Sequence, residues 1–99
     1  MDRALSPDEL AQVQEVFARH ESTDVQFHAL RTRQAGRLSF VSFHVLTPGS
    51  WSVQRGHDLV ERVEAHLREQ LGSVTVFTHL EPGEDPVSFA DSDSTADSV

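Results

Sequence analysis

Four histidines, His28, His44, His57 and His79, together with Glu81 two residues past the last, are the side chains in this 99-residue chain best equipped for chemistry. Neutral imidazole is the commonest protein ligand for late first-row metals, and carboxylate is a frequent companion. The chain has no cysteine, which excludes disulfides and thiolate zinc sites, so any metal site must use nitrogen and oxygen. Such a donor set fits Zn2+ best, with Fe2+, Mn2+, Co2+, Ni2+ and Cd2+ as further candidates. Three histidines and a glutamate could also hold a catalytic zinc with an open position. No separate general base or oxyanion-stabilising loop accompanies them, so an enzyme is not expected. His20 and His66 have weaker cases. His20 ends a helical stretch, where a cation suits the helix dipole, and His66 is read as solvent-facing near Arg62 and Gln70.

These ligands can act together only if the backbone brings them together. Ser6-Pro7-Asp8-Glu9 reads as a helix start with a capping box, and Leu10, Val13 and Phe17 continue an amphipathic helix to about residue 19. Residues 25–33 and 38–46 read as strands, with Gln34-Ala35-Gly36-Arg37 as the turn between them. A hairpin symmetric about Gly36 sets His28 directly across from His44, with Cβ atoms about 4.5–5.5 Å apart on one face. A one-residue slip in register would send one of them to the other face. Arg31 and Arg33 share a face of the first strand, where they are read as pairing with carboxylates of a partner chain, as solvated, or as facing lipid head groups.

Thr47-Pro48-Gly49-Ser50 breaks the second strand. A second helix is expected over 51–71, with Val53, Val60, Val63, Leu67 and Leu71 as its buried stripe and His57 near its start. Gly56 costs that helix roughly 1 kcal/mol against alanine, and a tolerated glycine is a simpler account than a close approach. Gly72 closes the helix. In a third strand over 74–80, Val76, Thr78 and Leu80 take one face, while Phe77, His79 and Glu81 take the other. The strand rise sets His79 and Glu81 about 7 Å apart at the backbone.

The order αββαβ implies an α+β, ferredoxin-like domain lacking one strand. The two later strands are expected to flank the first in a three-stranded mixed sheet, with both helices on one face. The other face is then exposed unless a partner covers it, which points to a homodimer. An apolar content of 37% in so short a chain gives a marginal core, so dimerisation or bound metal would aid stability. The net charge of −8, without a Lys/Arg run, argues against nucleic acid. No apolar run approaches the roughly 20 residues of a membrane helix, and Met1-Asp2-Arg3-Ala4-Leu5 lacks the apolar core of a signal peptide. The isolated chain is expected to be soluble. Its folded part is expected to span 1–82. Residues 83–99, acidic and without a basic residue, read as a disordered tail.

Four segments resemble a known family: Phe27-His28-Ala29-Leu30-Arg31-Thr32-Arg33-Gln34, Phe43-His44-Val45, Gly56-His57-Asp58-Leu59-Val60 and Thr78-His79-Leu80-Glu81-Pro82. They look like the cytoplasmic C-terminal domain of cation diffusion facilitator transporters, closest to the bacterial ferrous-iron and zinc efflux branch. The resemblance covers residues 1–82, and Met1-Asp2-Arg3-Ala4-Leu5 resembles the linker after the last membrane helix. It implies a metallochaperone-like domain that homodimerises on the cytoplasmic side of the inner membrane. Divalent metal bound near the subunit interface would tighten the dimer and favour transport. His28, His44, His57 and His79 fall on the four histidine ligand positions. Glu81 falls on a carboxylate position that is aspartate in the best-matched members, and Leu80 replaces a polar residue. The metal-moving ligands of the family lie in its transmembrane domain, so the chain is expected to be one domain of a transporter. The alternatives are a free-standing metal buffer and a metal-independent dimerisation scaffold.

Overall fold

Ser6 caps the first helix as its sequence requires. Its hydroxyl accepts the backbone N–H of Glu9, and the Glu9 carboxylate accepts the backbone N–H of Ser6, starting α1 (Pro7–His20). A computed structural model describes residues 3–84 of the chain. The elements that follow are β1 (Gln26–Ala35), β2 (Leu38–Thr47), α2 (Val53–Leu71) and β3 (Val74–Pro82). The acidic tail expected from the sequence lies, beyond Glu84, outside the described residues.

The sheet order is β1-β2-β3, so β2 is central and not β1 as the sequence reading had it. The tight hairpin pairs β2 antiparallel with β1, and the crossover through α2 then lays β3 parallel on β2's other edge. Both helices cover one face. Val13, Val16 and Phe17 of α1 and Leu59, Val63 and Leu67 of α2 meet Val41, Phe43 and Val45 of β2, all buried. Phe17 stacks on Phe27 with centroids 4.3 Å apart and meets Phe43 edge-on at 4.8 Å. Each such side chain contributes about 1.5–3 kcal/mol through burial.

The buried stripe of α2 differs from the expected one. It runs through Gly56, Leu59, Val63 and Leu67, while Val53 is 86% exposed. At about 100° per residue, a stripe centred on Val63 leaves Val53 about 80° off axis and His66 only about 60° off on the other flank. Gly56 is where α2 meets β3. A Cβ there would come within 2.5 Å of Leu80 Cδ2, so the close approach, here by a side chain, does account for the glycine.

The hairpin reaches the His28↔His44 pairing by a route the sequence does not display. Near the turn the partners are Ala35↔Leu38 through Arg31↔Ser42, a register that would oppose His28 to Val45. One extra residue between His28 and Arg31 shifts the ladder and restores His28↔His44. Ala29, at φ 56°, carries this bulge. Phe27 and Leu30 then pack against the core, leaving His28, Arg31 and Arg33 for the open face.

Candidate metal centre

His44 sits in the middle strand and His79 is its register partner in β3. Strand alternation sends both to the face away from the helices, along with Glu81 two residues further. Their rings lie 5.0 Å apart, tilted by 30°. Glu81 reaches between them: Oε1 lies 3.6 Å from His44 Nδ1, and Oε2 lies 3.8 Å from His79 Nδ1. One donor atom from each of the three residues falls within 4.8 Å of the others.

Two of these atoms have no hydrogen-bond partner although solvent does not reach them: His44 Nδ1 and Glu81 Oε1. Leaving a buried polar atom unsatisfied costs about 1–3 kcal/mol. A group that accepts electron pairs from both would remove that cost, and a divalent cation is such a group. Imidazole nitrogens and a carboxylate are the donor types that zinc takes. The side chain of His79 is 58% exposed, so the cluster has one open side.

The other two histidines stand nearby in different ways. His28 faces His44 across the ladder and its Nε2 lies 3.4 Å from Gln26 Oε1. His57 is on the exposed face of α2, one residue past Gly56, with Nε2 3.4 Å from Glu61 Oε2. It therefore starts from the end of α2 that packs on Leu80, but does not join the three-residue cluster. The Leu80 side chain, turned towards Gly56, offers no donor.

His66 was misread from the sequence. It is half-buried, and its Nδ1 lies 2.8 Å from His20 Nε2, joining the middle of α2 to the last turn of α1. Burial lowers the pKa of His20 below the usual histidine value, with His66, Arg62 and Arg19 adding to the effect. A neutral pair with complementary tautomers makes this hydrogen bond; two imidazolium rings would repel. The signal was present in the helical phase, since His66 follows Val63 on the flank of the buried stripe.

Residues 5–83 match the family described as the cytoplasmic domain of cation efflux proteins. The chain is 52% identical over 89 residues to an uncharacterised transporter of Synechocystis, covering 90% of this chain and 29% of that protein. It is 27% identical over 82 residues to the cation-efflux pump FieF of Shewanella oneidensis, covering 83% and 27% respectively. It thus spans less than a third of the length of these relatives. Among solved structures it resembles the transporter CzrB, with a TM-score of 0.70 and 28% identity over 79% of this chain and 96% of that one. The Zn form of CzrB gives 0.67 and 31%, over 86% and 98%.

Proposed function

The chain belongs to the cytoplasmic-domain family of cation efflux proteins, and on that premise we propose that it is the regulatory, homodimerising domain of a divalent-metal efflux transporter. The observation that supports this most directly is the pair of buried, unpartnered atoms, His44 Nδ1 and Glu81 Oε1, facing each other beside His79. His44, His79 and Glu81 would hold the ion, Zn2+ in the first instance. His28, across the ladder from His44, and His57, from the start of α2, are the further ligands proposed. The ion would supply a positive charge and coordination bonds that replace the missing hydrogen bonds.

The protein's own part is positional. The parallel pairing of β2 and β3 fixes the two imidazoles side by side, and the rigid strand rise fixes Glu81 between them. The exposed side of His79, and of His57 on α2, leaves room for groups from a second copy. Metal held by two copies stabilises the arrangement that joins them, and that linkage is the proposed means of favouring transport in the attached membrane domain. Among the described residues no helix is long and apolar enough to cross a membrane. The working unit is proposed to end near Pro82, where β3 ends.

Zinc titration by calorimetry tests the reading. Wild type should bind zinc, and His44→Ala should abolish most of the heat. Binding that survives both His44→Ala and Glu81→Ala would remove the proposed site. No zinc binding in the wild type, with an intact dimer, would leave a dimerisation scaffold without a metal role.

A further inference from the structure

His20 and His66 sit on the two helices, across the sheet from the His44–His79–Glu81 cluster, and the metal reading leaves them unused. The end of α1 and the middle of α2 hold His20 Nε2 and His66 Nδ1 2.8 Å apart. Their ring centroids lie 4.9 Å apart and the rings are tilted by 33°. Both side chains are half-buried, so the pair keeps a side open to solvent. Burial, with the charges of His66, Arg62 and Arg19, lowers the pKa of His20 and favours its neutral ring. A neutral ring is the form that a metal takes as ligand. The spacing then discriminates between ions. Two nitrogens on a tetrahedral zinc, each at about 2.0–2.1 Å, stand about 3.3–3.4 Å apart. Adjacent corners of a square plane, at a bond length of about 2.0 Å, stand about 2.8 Å apart, and Cu2+ and Ni2+ prefer that plane.

We infer that His20 and His66 form a second metal site, which takes a square-planar divalent ion, Cu2+ foremost, and clamps the end of α1 to the middle of α2. The helices already hold the two nitrogens at the spacing of adjacent corners, whereas zinc would need them to part. Only the rings must turn, because each nitrogen now faces the other rather than a shared ion. No proton leaves the pair. The one between the rings moves to the far nitrogen of its own ring, Nδ1 of His20 or Nε2 of His66. Among the described residues the one group of three potential ligands is His44, His79 and Glu81, so water completes the plane. Arg19 and Arg62 oppose the added positive charge, while the C-terminal end of α1 favours it. Nitrogen ligands bind Cu2+ more tightly than Ni2+, which selects copper within the class. This site is independent of the zinc reading, since it lies on the other face of the sheet and suits a different geometry.

Cu2+ added to the whole chain, with excess zinc to occupy the cluster, tests the site by electron paramagnetic resonance and NMR. A tetragonal copper spectrum split by two nitrogens is expected. Paramagnetic broadening should be centred on the amides of Arg19, His20, Val63, His66 and Leu67. Both signals should be lost in His20→Gln and in His66→Gln, and both should persist in His44→Ala/Glu81→Ala. A glutamine at either position can still hydrogen-bond the remaining imidazole, so the helix contact should survive. If a variant fails to fold, the nitrogen count and the broadening map of the wild type decide by themselves. Copper broadening that spares His20 and His66, or that persists there in the folded glutamine variants, would overturn the inference. So would a spectrum with one nitrogen, or no copper binding.

Discussion

Glu81 is the residue on which the cluster turns, because its two oxygens face two different imidazoles. Replacing it by glutamine keeps the shape and removes the charge. Glu81→Gln should lower zinc affinity by at least the roughly 10–100-fold that loss of an outer partner costs a metal site, as calorimetry would show. Ligands must shed their protons, so affinity should also fall as pH is lowered. His20 gives a second prediction, independent of metal. Its pKa is lowered in the folded protein, so the unfolded chain takes up the proton first. The contribution of the His20–His66 contact is therefore complete above the unfolded value of about 6.5 and is lost as pH falls through the folded pKa. Urea unfolding across that range should show stability decreasing with acid, and His66→Gln should flatten the slope. Ordinary titration of His20, followed by NMR, would count against this.

At the scale of elements, the order αββαβ, the capping box and the face shared by His79 and Glu81 were legible because each rests on local periodicity. The position of β2 in the middle was not, since strand order depends on how the crossover lies over the sheet. The pairing of His28 with His44 was anticipated from a hairpin symmetric about Gly36, yet the chain achieves it through a bulge at Ala29. Nothing in Ala29-Leu30 announces a bulge, because alanine rarely takes positive φ. Ala29→Gly should therefore stabilise the protein by about 0.5–1 kcal/mol in urea unfolding, the left-handed cost less glycine's entropy. A loss of stability would mean that the bulge is not where the structure has it. The α2–β3 contact makes a related prediction. Gly56→Ala should gain close to 1 kcal/mol of helix propensity in a Leu80→Ala background and clearly less in wild type. Equal gains would show that Leu80 does not press on Gly56.

For the whole molecule, one side of the sheet is packed under two helices, and the other carries the His44–His79–Glu81 cluster at one end and Arg31 and Arg33 at the other. Among the described residues the core holds about a dozen buried apolar side chains, which is modest, so bonds formed outside it weigh heavily in stability and assembly. The family membership supplies the dimer as the natural setting for the open face, and the cluster supplies a reason for metal to strengthen it. The gathering of Arg3, Arg31, Arg33 and Arg37 was illegible in the sequence, where they are scattered over 35 positions; hairpin pairing and the bridge from Arg3 to Gln34 collect them.

The most direct test of the central claim is dimer mass measured by light scattering as zinc is added to metal-stripped protein, with His44→Ala/Glu81→Ala in parallel. Metal that shifts wild type towards dimer at lower protein concentration, and leaves the double variant unmoved, is the predicted result. Identical dimerisation with and without zinc in wild type would contradict it.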